Sequence, residues 1–398
     1  MPKMGAAHHS NGGEDVVTPR PSAVVSASEQ AMSIKYNTMV YEMTRAGQKV
    51  IVMSLGEAFF DIPLFPMDDL PHPAVYHYSH SRGIPELREK LAGHFEKAYD
   101  VSINPESEIL ITAGSKAAIH MALMSILDPG DEVLIHEPTW VSYPEQIKLC
   151  YGKPVRIPMG AGIRDYEKYV TRKTKAIIVN TPHNPSGYVW SESDLGYVLD
   201  LAKKHNLWVL SDEAYSEFVT TDTFVSLGAL DPEKRHSIIF NSISKNYGIS
   251  GWRMGYVIAN KVLTDQILKV NQHLITCPPT ILEYYISKHF DRILDITRPQ
   301  IRGVVEQRAQ LSRYMKEIGL DHMPGTATFY FFVSIAPSKL GSEEFATCLL
   351  QNDLVSTVPG LGYGNSCDKY IRVSIGTMSL DDNSYGLRKI KELIEKTS

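Results

Sequence analysis

The stretch SIIFNSISKNYGISGWRMGY, Ser237 to Tyr256, begins as an apolar run and breaks into hydroxyls, a lysine and an arginine. A short apolar run bounded by a polar break reads as a buried strand entering a loop. The same pattern recurs in EILITAG (108–114), DEVLIHEP (131–138), KAIIVNTP (175–182) and LWVLSDEA (207–214). Between these runs lie segments of helical character. SKAAIHMALMSIL (115–127) is apolar nearly all round and hence a buried helix, and ESDLGYVLDLAKKH (192–205) is another helix. Strands alternating with helices predict an α/β fold whose large domain holds a mostly parallel mixed sheet flanked by helices.

The pattern changes after about residue 285. A helix over about 295–317 is expected, then strands at TFYFFVSI (328–335) and KYIRVSIG (369–376) and a closing helix at SYGLRKIKELIEKT (384–397). These elements predict a smaller α+β domain. The expected division is a flexible N-terminal arm over 1–30, rich in Gly, Ser, His and Pro, and a large cofactor-binding domain over 60–285. The small domain is expected to combine 31–59 with 286–398.

Bulk composition narrows the class. The chain has 398 residues, 43% of them apolar and 21% charged, with a formal net charge of -5. A mildly acidic balance argues against a general nucleic-acid binder. No apolar run approaches the roughly 18 residues that span a bilayer, and the first residues lack the apolar core of a secretory signal. Four scattered cysteines, Cys150, Cys277, Cys348 and Cys367, fit a reducing compartment and neither a disulfide framework nor a zinc site. The expectation is a cytoplasmic enzyme with small-molecule substrates, no nucleic acid, no membrane and no metal.

Polar residues follow three of the apolar runs: Asn184 in NTPHNPSG, Asp212 and Tyr215 in SDEAY, and Lys245 in SISK. Singly, each has a structural explanation: Asn184 suits a tight turn, Asp212 a helix cap, and Lys245 a solvated loop. Together they stand at strand ends, where open α/β sheets bind ligands. A neutral lysine amine forms a Schiff base with a carbonyl, and neighbouring cations lower its pKa. An aspartate on a ring nitrogen makes the ring an electron sink, while Asn and Tyr can hold a phenolic oxygen. That set fits pyridoxal 5'-phosphate. Gly114, Ser115 and Lys116, at the junction of a strand and a buried helix, offer a phosphate cradle. Ser242 and Arg253 can add a hydroxyl and a guanidinium fork. The absence of any acid from Asn241 to Tyr256 suits a segment that serves an anion.

SISKNYGISGWRMG, NTPHNPSG and SDEAY resemble the signature segments of the class I/II aminotransferases, which are fold type I pyridoxal-phosphate enzymes. The similarity runs from about residue 50 to the C-terminus. GIPELREKLAGHF and ILDPGDEVLIHEPTWVSYPEQI look most like the bacterial and archaeal aspartate/aromatic branch. The resemblance implies that Lys245 is the Schiff-base lysine and proton shuttle. It implies that Asp212 pairs with the pyridinium nitrogen and that Asn184 and Tyr215 hold the ring hydroxyl. Trp140 would stack on the ring, and Ser115, Lys116, Ser242 and Arg253 would form the phosphate cup. Tyr78 would reach the phosphate of a neighbouring subunit's cofactor, implying a homodimer with shared active sites. Arg372 would bind the substrate α-carboxylate, with the Gly56 backbone close by.

Arg372 has support of its own. In KYIRVSIG, Ile371, Val373 and Ile375 face one side of a strand and Tyr370, Arg372 and Ser374 the other. A charge inside an apolar strand needs a partner. Some residues depart from the family pattern. Ala58 and Phe59 stand where many relatives carry Pro and Asp, which implies a different pocket mouth. His80 and Arg82 replace small or apolar residues. Arg82 either contacts a side-chain carboxylate or faces solvent, and solvent is the preferred reading. The expected activity is transfer of an amino group from an L-amino acid to a 2-oxo acid by a ping-pong mechanism. Elimination, cyclisation or decarboxylation on the same cofactor is the alternative. A non-catalytic regulator is a further one, disfavoured because the roughly 30 residues before the resemblance are too few for a helix-turn-helix domain.

Overall fold

The computed structural model describes residues 19–220 and 223–398. The strands, in chain order, are β1 (Ile51–Val52), β2 (Ile109–Thr112), β3 (Glu132–His136), β4 (Lys153–Ile157), β5 (Thr174–Asn180) and β6 (Trp208–Asp212). They continue as β7 (Ser237–Ser242), β8 (Gly255–Ile258), β9 (Tyr330–Ser334), β10 (Val355–Ser356), β11 (Val358–Pro359) and β12 (Tyr370–Ser374). Seven of them form one sheet in the order β2-β8-β7-β6-β5-β3-β4. Neighbours from β4 across to β7 are parallel, and β8 lies antiparallel to both β7 and β2. The expected α/β fold with a mostly parallel mixed sheet is therefore the observed one.

The strands are apolar because both faces of the sheet are covered. Side chains alternate: Leu110, Ile238, Phe240 and Val257 enter the core shared with the helices Ser115–Ile126 and Lys261–Leu274. Ile109, Ile111, Ile239 and Ile258 enter the opposite core, against the helix Pro85–Tyr99. Beyond β8, β9 and β12 pair antiparallel with Arg372 opposite Phe332, and β11 flanks β12. Ile371, Val373 and Ile375 pack into a core with Phe331, Val333 and Leu387, as the alternation in KYIRVSIG predicts. β1 pairs with β10, which joins the segment before residue 60 to the C-terminal part of the chain.

Three expectations change. The helix expected from about 295 has a longer lead-in: helical chain begins at Thr280, kinks at His289 (φ -107°, ψ 15°), and continues to Glu317 with Pro299 inside the second part. Its first half (Tyr285, Phe290, Leu294) packs beside the large sheet and its second half (Ile301, Leu311, Met315) against β9 and β12. Part of the expected arm is ordered: Ala23–Ser26 forms one helical turn, and the Glu29 N–H donates to Glu145 Oε2 at 3.1 Å. Residues 1–18 of the arm lie outside the described residues. Arg82 does not face solvent. It is 7% exposed, and its Nη2 lies 2.6 Å from Asp265 Oδ1, because a guanidinium buried this far needs a counter-charge.

Candidate active site

Because β5, β6 and β7 are adjacent and parallel, their carboxyl ends deliver neighbouring loops to one edge of the sheet. Asp212 ends β6 opposite Asn180, the last residue of β5. Asn180 ties the two loops together: its Nδ2 donates to the Asp212 carbonyl at 2.8 Å, and its Oδ1 accepts from Asn184 N–H at 2.7 Å. Lys245 sits in the helical turn Ile243–Asn246 directly after β7. The chain then turns back as β8, which returns Arg253 to the same edge.

These loops surround a cavity of about 440 Å³. Ser115, Lys116, Trp140, Asn184, Asp212, Tyr215, Ser242, Lys245 and Arg253 line it, joined from the other side by Gly56 and Arg372. Gly114 lies just behind, with a φ of +90° that strains any other residue, and a Cβ there would push on Arg253 Nη2 at 2.8 Å. Gly255 has the same role on β8. A Cβ there would fall 2.3 Å from the Ser115 nitrogen, so the strand lies directly against the start of the helix Ser115–Ile126. The first turn of that helix holds no acid, which leaves its N–H groups and dipole to an anion. Arg253 is held by the Ser250 carbonyl (2.6 Å) and the Ser244 hydroxyl (3.4 Å).

Burial decides the electrostatics. Lys245 lines the cavity, and desolvation brings its pKa from 10.5 down to about 8. Glu57 pulls the value up, while Arg372, Arg253 and Lys116 push it further down. Its Nζ donates to the Gly56 carbonyl at 2.5 Å. Lys116 is also lowered, by burial first and by Arg253 second. Its ammonium sits 5.0 Å from the Trp140 ring centre. Burial raises Asp212 to about 6, against the stabilising hydrogen bonds from Tyr143 (2.6 Å) and Ala214 N–H (3.3 Å).

Arg372 crosses from β12 to the cavity. Its Nη2 donates to the Ser54 carbonyl at 2.6 Å, and its guanidinium lies 4.6 Å from the Tyr330 ring. Its Nε is buried without a partner among the described residues, as is Asn184 Oδ1. Tyr330 also bonds the Tyr215 hydroxyl at 3.1 Å, and Asn184 Nδ2 approaches the same hydroxyl at 3.4 Å. Tyr143, Tyr330, Glu57 and Ser244 were not picked out from the sequence. Tyr330 stands among apolar neighbours, where an aromatic residue reads as core, and nothing in SYPEQ sets Tyr143 apart. Ser33, Ile34 and Asn37, from the helix Met32–Arg45, add a further wall. Tyr78 is not gathered. It is 86% exposed and borders a separate depression beside Cys277 and Pro278. Ala58 is buried in the core around β9 and β12, and Phe59 is exposed. Neither lines the cavity.

Pyridoxal phosphate fits this donor set. Lys116, Lys245, Arg253 and Arg372 share one cavity with hydroxyls and a helix N-terminus, glycines keep the cradle open, and buried polar atoms of Asn184 and Arg372 lack partners among the described residues. Comparison with known proteins agrees in kind. The family model described as aminotransferase class I and II matches residues 67–390. An aspartate aminotransferase of Pyrococcus abyssi is 33% identical, over 83% of this chain and 89% of the relative. A (5-formylfuran-3-yl)methyl phosphate transaminase of Methanocaldococcus jannaschii is also 33% identical, over 90% and 95%. The solved aspartate aminotransferase of Thermus thermophilus with maleate superposes with a TM-score of 0.85 at 26% identity, over 94% of this chain and 100% of that one. The chain is an enzyme of the aminotransferase class I and II family.

Proposed function

We propose that this enzyme uses pyridoxal 5'-phosphate to move an amino group from an L-amino acid to a 2-oxo acid, in a ping-pong cycle. The observation that carries the reading is Lys245, lowered to about 8 by burial, on the same cavity as buried Asp212. When bound, the cofactor supplies an aldehyde that condenses with amines and a ring that takes up electrons released at the substrate Cα.

The remaining work falls to this chain's side chains. Near neutral pH a useful fraction of Lys245 is the free amine, which can act as nucleophile and then carry the Cα proton. Asp212, held by Tyr143, would keep the ring nitrogen protonated. Asn184 and Tyr215 would hold the ring hydroxyl, and Trp140 the ring face. Ser115, Lys116, Ser242, Arg253 and the N–H groups behind Gly114 would hold the phosphate. Arg372 would orient the substrate carboxylate by its guanidinium fork, beside Gly56. In this reading Tyr78 serves the site of a second copy, in a homodimer with shared active sites. The four cysteines are free and no helix among the described residues is long and apolar enough to cross a membrane. Both facts support our placing the enzyme in the cytoplasm.

The test is a panel of amino donors offered with 2-oxoglutarate or pyruvate, with both products followed. Stoichiometric formation of a new amino acid and a new 2-oxo acid is expected. Sustained turnover of an amino acid without any 2-oxo acid acceptor would overturn the reading in favour of elimination, cyclisation or decarboxylation.

A further inference from the structure

A second cavity, of about 260 Å³, lies beside the first and shares Trp140 and Asn180 with it. Its walls are largely aromatic. Tyr166 stacks on His136 with ring centres 5.6 Å apart, meets Trp190 edge-on at 6.4 Å, and Trp190 meets Tyr188 at 6.5 Å. The two histidines that line it are neutral at neutral pH. Burial brings His183 down to about 4 and lowers His136 as well. Both are engaged: His183 bonds the Ser186 hydroxyl and the Pro138 carbonyl, and His136 the Ala161 carbonyl.

The one formal charge on this lining is Asp194. Its Oδ2 accepts from the Ser191 hydroxyl at 2.8 Å and from the Tyr188 hydroxyl at 3.4 Å. Its Oδ1 has no hydrogen-bond partner among the described residues. Aromatic faces attract a cation, and a carboxylate with a free oxygen anchors one. A flat apolar ring suits the walls, and the volume is near the lower end for small-molecule sites, roughly 300 Å³ and upward. We propose that this side cavity binds one aromatic amine, a flat ring carrying an ammonium group, with the ring among Tyr166, Tyr188 and Trp190 and the ammonium at Asp194. The proposal does not rest on the transamination reading: Tyr166, Tyr188, Trp190 and Asp194 have no part in the machinery proposed there, although the cavity also touches Trp140 and Tyr143, which do.

Tryptamine is the probe, titrated calorimetrically into the borohydride-reduced holoenzyme, whose cofactor can no longer condense with an amine, with neutral indole and anionic indole-3-acetate as comparators. One equivalent of tryptamine per chain is expected to bind. Indole should bind at least about tenfold more weakly and indole-3-acetate more weakly still, since the ammonium contact is worth on the order of 1–2 kcal/mol. Asp194→Asn should reduce the preference for tryptamine over indole by about the same factor, with indole affinity unchanged. Trp190→Ala should weaken both amine and indole. Ala161→Phe, which fills the cavity from another wall, should weaken all three ligands while melting and, before reduction, the cofactor's visible absorbance stay as in the parent. Three results would each overturn the proposal: no binding of tryptamine at millimolar concentration, equal affinity for indole-3-acetate, or full affinity retained in both Asp194→Asn and Ala161→Phe. The last would place the amine in the active-site cavity instead.

Discussion

Lys245 draws its chemistry from its surroundings. An exposed lysine titrates near 10.4 and is almost wholly protonated at neutral pH, whereas this one is brought to about 8 by desolvation, with Glu57 opposing and three cations assisting. Capture of pyridoxal phosphate by the cofactor-free enzyme should therefore speed up as pH rises and level off above about 8, followed as growth of the visible absorbance. Glu57→Gln removes the group that raises the value, so the midpoint should move to lower pH. A midpoint that moves up, or stays near 10, would contradict this account. Arg372 offers a fork whose Nε has no partner among the described residues, and Arg372→Lys keeps the charge while losing the fork. It should raise KM for the amino acid by about ten- to a hundredfold, as measured by steady-state kinetics, with cofactor absorbance unchanged. Asp212, Asn184 and Lys245 were legible in the sequence because each follows an apolar run at a strand end, and Arg253 because it stands with Lys245 in a stretch without any acid. Tyr143 and Tyr330 were not, since a buried aromatic declares no partner until the fold supplies Asp212 or Tyr215. Arg82 was misread for the same reason: its counter-charge, Asp265, lies far along the chain.

At the scale of elements, the key device is β8. By running antiparallel between β2 and β7 it sets Gly255 against the start of the helix Ser115–Ile126 and returns Arg253 to the mouth of the cradle. A Cβ at Gly255 would fall 2.3 Å from the Ser115 nitrogen, where backbone must move to admit it. Gly255→Ala should cost about 1–3 kcal/mol in stability and weaken cofactor binding, read by thermal melting and by titration with pyridoxal phosphate. A variant with parental melting and affinity would show that the close approach is dispensable. The apolar runs made the sheet readable, because strands covered on both faces need apolar side chains throughout. The antiparallel direction of β8 was not readable, as nothing local in GYVI encodes which way it runs. The start of the long helix at Thr280 escaped because its first turns are rich in aromatic and β-branched residues and Pro299 reads as a break.

For the whole molecule, the cavity is built from both parts of the chain: strand-end loops of the large sheet on one side, Gly56, Tyr330 and Arg372 on the other. The helical segment Thr280–Glu317, kinked at His289, packs against both. Tyr78, exposed and outside the lining of the cavity, has a role only if a second copy brings it to a phosphate. Sedimentation should accordingly report a dimer. Mixing inactive Tyr78→Ala and Lys245→Ala chains under exchange should restore part of the activity, because one site of the hybrid is then complete. A monomer with full activity would contradict the shared site. The most direct test of the central claim is borohydride reduction of the pyridoxal-phosphate-loaded enzyme, followed by peptide mass spectrometry. The account predicts a single phosphopyridoxyl group, on Lys245, in the peptide that begins after Arg235 or a later cleavage site. A label on Lys116 or any other lysine, or no label at all, would contradict it.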